Sequence, residues 1–352
     1  MSAILHERPG VYSSYDASAV IRGGKALRTI GVAAKSSAGT AGVPVTLTSY
    51  EAGITAFGED AEGAPGMSAL LRLLFQGGAS TVVAAAVGED DYEGAFAALS
   101  QVEDIQVVLC DSGELAVQTA LRKSVEDASA ARRERIAVAG MSGASTEELT
   151  ARAAALNSER MVLVGPDVVD SQGNSLPGIF AAAAVASAVA AGADPAVPLN
   201  GHELKGLGGV STAYSDNEVD LLVQGGVTPL EAVGGTVSPI RGITTRTTTG
   251  GVKDATWREL TTILIVDNVI PAIRASLRSR FRQAKNTVQT RGAIRSQVIM
   301  ELENRLRAQI IDSYGEVTVE ADTEDPTICL VEFSFAVAHG LNQIVLTAHI
   351  TI

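Results

Sequence analysis

The chain has 352 residues, carries a formal net charge of −13 and is 46% hydrophobic. Such an apolar composition excludes a disordered chain, and the length fits two domains better than one. Aromatic residues make up only 4% of the chain. Because a nucleic-acid surface needs positive charge and stacking aromatics, the composition excludes DNA or RNA as a direct partner of the whole molecule.

The cysteine pattern and the apolar runs argue against a disulfide framework and a membrane span. Cys110 and Cys329 lie far apart without a CxxC motif, which predicts reduced thiols. The most apolar run, residues 178–193, is shorter than the ~20 residues that a spanning helix needs. The N-terminus also lacks the basic and apolar regions of a signal peptide. We therefore expect a buried helix at 178–193, no direct membrane partner, and synthesis in a cytoplasm.

The first 245 residues predict an extended segment followed by an α/β domain. Residues 1–22 contain the turn and strand residues Pro9, Gly10, Val11 and Tyr12, so we expect an extended N-terminal arm, and Gly23 and Gly24 offer a hinge. From there to residue 245, short apolar strands alternate with helices, which is typical of a mostly parallel sheet covered on both faces. The expected strands are 27–34, 43–49, 81–87, 105–110, 136–139 and 161–164, and the expected helices are 67–75, 92–102, 114–131, 145–156 and 178–193.

Residues 246–340 predict a separate α+β domain. We expect a strand at 260–266, a helix capped by Asp267 with Pro271 near its first turn, and a second helix. The second helix carries an apolar stripe at four-residue spacing, made of Ile294, Val298, Leu302, Leu306 and Ile310. Alternating patterns at 316–320 and 328–335 predict antiparallel strands.

The last residues, 341–352, alternate strictly. One face carries Ile344, Leu346, Ala348, Ile350 and Ile352, and the other carries Thr347, His349 and Thr351. The pattern predicts a strand that runs to the final residue, although chain ends usually fray unless something holds them. A free terminal strand can add to the sheet of another molecule.

No motif for catalysis, nucleotide binding or metal binding is present in the sequence, so we expect no enzyme, no catalytic or metal site and no cofactor. One alternative remains open, an α/β enzyme with an unrecognised site. Its first candidates would be Asp167 and Asp170, in the loop after a strand, and His202. The acidic stretch from Glu89 to Glu93 is interpreted as the solvated start of a helix.

Charge is strongly segregated along the chain. Residues 272–308 carry a net charge of +7, which leaves −20 for the remainder. Such asymmetry is compatible with a basic face directed at an acidic partner, or with Arg-rich helices neutralised by the protein's own acidic groups. The candidate basic face consists of Arg274, Arg278, Arg280, Arg282, Lys285, Arg291 and Arg295.

Taken in order, several short segments resemble the contractile tail sheath proteins of myophages and of R-type, phage-tail-like bacteriocins. Each segment alone is only weakly specific for the family. Their shared order along nearly the whole chain is a much more specific signal. The segments are Arg8-Pro9-Gly10-Val11-Tyr12, residues 42–50 leading to Phe57-Gly58, Pro198-Leu199-Asn200, Asn217-Glu218, Leu264-Ile265-Val266-Asp267 and residues 344–352. The stretch after Lys285 matches the family's Asn-rich loop only in part.

The resemblance implies a fold and a set of partners. It implies an α/β outer domain at 23–245, an α+β tube-proximal domain at 246–340, an N-terminal linking arm at 1–22 and a C-terminal linking strand at 341–352. Neighbouring subunits would be joined by strand addition through Val11, Tyr12, Ile344, Leu346, Ile350 and Ile352, with Gly23 and Gly24 as the hinge.

The resemblance further implies a homo-oligomer of stacked sixfold rings around an inner tail tube protein, with baseplate and tail terminator as further partners. Contraction would drive the tube through a target envelope. The subunit would belong to a virion tail or phage-tail-like particle assembled in the bacterial host cytoplasm. Another tail component, such as a tube or baseplate protein, is the remaining alternative.

Overall fold

An eight-stranded sheet forms the centre of the larger domain. The structure, a computed structural model, describes residues 28–61 and 63–342. The strands of this sheet are β1 (Thr29–Ala34), β2 (Pro44–Leu47), β3 (Val82–Ala86), β4 (Ile105–Cys110), β5 (Ile136–Gly140), β6 (Met161–Gly165), β10 (Val227–Val233) and β11 (Thr236–Pro239). Their order across the sheet is β11-β10-β6-β5-β4-β1-β3-β2.

The six inner strands are parallel to one another, and the two edge strands are antiparallel to their neighbours. Every residue of β3, β5 and β6 is buried, as expected for a parallel sheet with both faces covered. The predicted α/β architecture is therefore confirmed. A small sheet of β7 (Val168–Val169), β8 (Ser175–Leu176) and β9 (Gly209–Val210) lies beside it.

Helices cover both faces of the sheet. In β1, Ile30 and Val32 belong to one core and Ala33 belongs to the other, as the two-residue period of a strand requires. The first core takes in α1, α2 and α6, whereas the second takes in α3, α4, α5 and α7. These helices are α1 (Tyr50–Phe57), α2 (Met67–Gln76), α3 (Tyr92–Ser100), α4 (Leu115–Ala130), α5 (Thr146–Leu156), α6 (Gly178–Ala191) and α7 (Asp216–Gln224).

Helix α6 is the apolar segment predicted at 178–193. Thirteen of its residues are buried. Small side chains allow this close packing: a Cβ added at Gly140 of the sheet would lie 2.1 Å from the carbonyl oxygen of Gly178. This burial agrees with the interpretation of the segment as a buried core helix rather than a membrane span.

The C-terminal domain has its own core. It contains α8 (Leu260–Phe281), α9 (Val288–Arg307) and two two-stranded antiparallel sheets, β14 (Ile311–Tyr314) with β17 (Phe335–Val337) and β15 (Thr318–Ala321) with β16 (Cys329–Glu332). A short hairpin, β12 (Thr248–Thr249) with β13 (Val252–Lys253), precedes it. The predicted α+β character is confirmed.

The predicted strand at 260–266 is wrong, because that segment is the first part of α8. Its apolar side chains recur at helical spacing and pack into two different cores. Leu260, Ile263 and Leu264 belong to the core of the large sheet. Ile265, at the start of a stripe of four-residue steps through Val269 and Ile273, belongs to the C-terminal core.

Two further expectations fail with that strand. Asp267 does not cap a helix, since it lies inside α8, and Pro271 lies inside the helix rather than in its first turn. Among the described residues, α8 is the one helix long and apolar enough to cross a membrane, and six of its apolar residues are buried in the two cores. The predicted strand 328–335 is divided between β16 and β17, which pair with different partners.

Candidate interaction surfaces

Four residues of the predicted basic face are exposed at the end of α8 and in the turn to α9. They are Arg278, Arg280, Arg282 and Lys285. Across residues 28–61 and 63–342, none of the four forms an ion pair. Arg278 and Arg280 lie in the last turn of α8, where the unpaired carbonyl groups of the helix stabilise cations. We call the four side chains the basic tip.

The other three residues of the predicted face have internal partners. Arg274 Nη2 lies 2.8 Å from Glu134 Oε1 in the α/β domain. Arg291 Nη1 donates to Asn286 Oδ1 at 2.8 Å, and Arg295 Nε donates to the carbonyl oxygen of Val317 at 2.8 Å. Counting charges along the sequence cannot identify these bound arginines, because their partners are an amide, a backbone carbonyl and a carboxylate that only the fold brings into contact.

A second ion pair ties α8 to the large sheet. Arg160 Nη1 and Nη2 donate to the two carboxylate oxygens of Asp267 at 2.9 and 3.0 Å. The side chains are 13% and 15% exposed, so water screens the pair little. Burial raises the pKa of Asp267 despite these bonds. At Glu134, burial is outweighed by Arg274, whose hydrogen bond and charge leave the pKa below its usual value.

The C-terminal domain contains two small sheets whose outer edges are unpaired among the described residues. In the described part of the chain, β14 and β17 pair only with each other, and so do β15 and β16. A two-stranded sheet is marginal by itself, and its outer backbone groups form a template for another strand. Leu330 in β16 and Ile328 just before that strand are each 46% exposed. These edges are therefore suited to accept further strands.

The predicted linking residues lie outside the described residues. They are Val11, Tyr12, Ile344, Leu346, Ile350 and Ile352, together with the hinge residues Gly23 and Gly24. Their roles stay predictions.

The residues of the enzyme alternative do not form a site. The carboxylate of Asp167 accepts hydrogen bonds from the backbone N–H groups of Gly143 and Gly178 at 2.8 and 2.7 Å. Asp170 accepts from the N–H groups of its own loop, and His202 is exposed elsewhere. No group of three or more His, Cys, Asp or Glu side chains suited to a metal ion occurs in the residues that the structure describes.

The acidic stretch and the cysteines also have structural explanations. Asp91 caps α3 by accepting from the N–H of Gly94 at 2.8 Å. Asp90 pairs with Lys35 at 2.5 Å. Cys110 is buried, and that burial raises the pKa of its thiol to about 12, which removes the reactive thiolate.

The described residues thus form an α/β domain and a small α+β domain, which has two-stranded sheets and an exposed basic tip. These features are compatible with a structural subunit that assembles with other chains. The profile of the phage tail sheath protein central domain matches residues 85–245. The profile of the phage tail sheath C-terminal domain matches residues 252–351. The chain belongs to the phage tail sheath protein family, as the resemblance in the sequence predicted, and that family consists of structural proteins rather than enzymes.

Individual relatives agree with this assignment. The chain is 30% identical to the tail sheath protein of Bacillus phage SP01 over 256 residues, which are 71% of this chain and 43% of that protein. The chain therefore spans less than half the length of that relative. A sheath tail protein from Desulfitobacterium hafniense matches at 13% identity with a TM-score of 0.71, over 93% of this chain and all of that one.

Two further structures show the same fold. The sheath tail protein from Listeria innocua matches at 12% identity and a TM-score of 0.69, over 91% of this chain and 98% of that one. The helical sheath of the anti-feeding prophage in its contracted state matches at 17% identity and a TM-score of 0.72, over 98% of this chain and 99% of that one. At these identities the likeness shows the fold alone.

Proposed function

We propose that this chain is the subunit of a contractile sheath that polymerises as stacked sixfold rings around an inner tube, in a phage tail or phage-tail-like particle. The observation that carries the proposal is the match of both sheath domains, in order, over most of the chain. The likeness to a sheath solved in its contracted state supports shortening as the working motion. That motion would drive the tube through a target envelope.

Strand donation between subunits would hold the polymer together. The open edges at β14–β17 and β15–β16 offer unpaired backbone groups, and the alternating pattern of residues 344–352 supplies a strand of the required kind. In this proposal the arm at 1–22 and the strand at 341–352 each complete a sheet in a neighbouring subunit. Head-to-tail contacts of this type generate rings or helices.

The basic tip would face the tube. It supplies four exposed positive charges of a segment with net charge +7, in a chain whose remainder carries −20, so an acidic surface is its complementary partner. Individual exposed ion pairs contribute only about 0–1 kcal/mol, but repetition over every subunit of every ring adds them. The α+β domain would then lie on the tube side and the α/β domain outside.

Baseplate and tail terminator would bind the two ends of the polymer. A structure of the anti-feeding prophage baseplate contains a chain that matches this one at 16% identity, with a TM-score of 0.74 over 99% of this chain. That likeness supports a baseplate as the partner at one end.

Purified chain is expected to form rings, tubes or longer polymers, which negative-stain electron microscopy would detect. The reason is that each subunit carries both the donor strands and the acceptor edges. A chain that stays monomeric at high concentration, and whose melting temperature rises with a small ligand, would contradict the sheath proposal and favour an enzyme.

Charge reversal at the basic tip is expected to impair loading of the sheath onto its tube. We expect the double variant Arg278→Glu with Arg282→Glu to load about tenfold less than wild type, since two attractive contacts per subunit become repulsive. Co-sedimentation with preformed tubes at several salt concentrations would measure this. The double variant Arg72→Glu with Lys123→Glu changes net charge equally on exposed positions of the α/β domain and should load normally. Equal loading of both variants would refute the electrostatic contact and leave polymerisation untouched.

A further inference from the structure

The two ends of the described chain contact one short stretch of the fold. The described residues begin at Arg28 and end at Asn342. Both contact residues 189–200, which comprise the end of α6 and the loop that follows it. We call this stretch the root segment.

Arg28 fixes the entry of the chain into β1. Its backbone N–H donates to the carbonyl oxygen of Ala190 at 3.0 Å. Its Nη1 donates to the carbonyl oxygens of Val189 at 2.6 Å and Gly192 at 3.4 Å. These carbonyls belong to the last turn of α6 and to its C-cap residue, Gly192, where the helix supplies no further backbone donors. Burial lowers the pKa of Arg28, while Asp267 and Asp194 act in the opposite direction.

The other end of the described chain contacts the far side of the same segment. Asn200 Nδ2 donates to Asn342 Oδ1 at 2.8 Å. Two residues earlier, Gly340 lies against the ring of Pro198, where an added Cβ would be 2.9 Å from Pro198 Cγ. Because a proline ring cannot move aside as a flexible side chain can, only glycine allows this approach.

The root segment is itself held by both domains. Leu199 packs against the core of the large sheet, and Ala196 packs against the C-terminal core. The backbone N–H of Gly201 donates to the carbonyl oxygen of Pro239 at 2.9 Å. Both ends of the described chain are therefore attached to one segment that packs against both cores.

We propose that the root segment sets the departure points of both linking arms, and that Arg28 and Asn200 are positioning residues for subunit-to-subunit linkage. This inference rests on the proposed function, in which the arms donate strands to neighbours. A strand can complete a neighbour's sheet only from a defined starting point. If either contact to the root segment is lost, the arm samples more conformations before it docks. Docking then costs more conformational entropy, which weakens the linkage without removing any residue that docks.

The test compares three variants of the full chain with two controls. Arg28→Gln removes the charged contact to the helix end, Asn200→Ala removes the bond to Asn342, and Gly340→Ala forces the chain away from Pro198. Arg72→Gln and Asn304→Ala replace the same residue types at exposed positions outside the root segment. Sedimentation would give the critical concentration for polymerisation, cryo-electron microscopy the spread of the helical twist, and circular dichroism the melting temperature.

For each variant we expect the critical concentration for polymerisation to rise about fivefold, with a broader spread of the helical twist. The controls should match wild type. If Arg28→Gln fails to fold, Asn200→Ala and Gly340→Ala decide the question. Wild-type behaviour of those two variants would overturn the positioning role while leaving the sheath proposal intact. A wild-type chain that never polymerises would instead overturn the sheath proposal.

Discussion

Replacing Asp267 by alanine is expected to lower the free energy of unfolding by about 3–5 kcal/mol, because the change leaves the guanidinium of Arg160 largely buried without its carboxylate. The two side chains share a bidentate contact at 2.9 and 3.0 Å and are 13% and 15% exposed. Denaturation by urea at neutral pH would measure the loss. The better helix propensity of alanine inside α8 offsets only about 0.7 kcal/mol.

A matched pair of controls separates an unpaired charge from a general loss of packing. Asp312→Ala removes an exposed carboxylate from β14 and should change stability by no more than about 0.5 kcal/mol. The double variant Arg160→Met with Asp267→Leu replaces both charges by apolar side chains, which is often neutral. We expect it to recover most of the stability. A single variant that loses less than about 1 kcal/mol would show that water reaches Arg160 and that the junction is looser than its geometry indicates.

The sequence predicted the helices and strands of the α/β domain correctly where the local apolar pattern matches the burial of the element in the fold. The buried strands β3, β5 and β6 are continuous apolar runs, and β4 is interrupted only by Gln106. Ser145 forms the predicted start of α5 with a capping box to Glu148. Helix α1 was missed because it is short, with eight residues and a glycine inside it. The hairpin of β10 and β11 was missed because Pro229 lies within β10.

The largest error, at 260–266, has a physical origin. A run of threonine, isoleucine, leucine and valine favours a strand by intrinsic propensity. In this fold the run is helical, and its apolar side chains pack into two cores. Tertiary packing decided the outcome, as it does for marginal propensities. The same limit applies to the basic face. The sequence gives the position of every arginine, but only the folded chain shows that Arg274 pairs with Glu134, whereas Arg278 is exposed.

Removing residues 343–352 is expected to abolish polymerisation while the subunit stays folded. The described C-terminal core is built from residues between Ala196 and Val337, and the truncation keeps Asn342 and its bond to Asn200. The folded body and the root of the strand should therefore persist. The open edges of neighbouring subunits would lose their proposed donor. Electron microscopy and sedimentation would show monomers or short oligomers, with a melting temperature close to that of the full chain.

Point variants within residues 344–352 test which face of the proposed strand packs against the neighbouring subunit. Leu346→Asp and Ile350→Asp place a charge on the apolar face, which in the proposed linkage packs against the neighbour's domain; a buried unpaired carboxylate there should prevent assembly. Thr347→Asp and Thr351→Asp carry the same charge on the opposite face and should assemble. Because adjacent residues of a strand point to opposite sides, this contrast depends on the strand being docked as a strand. Equal effects of the two pairs would mean that charge, rather than strand addition, governs the contact.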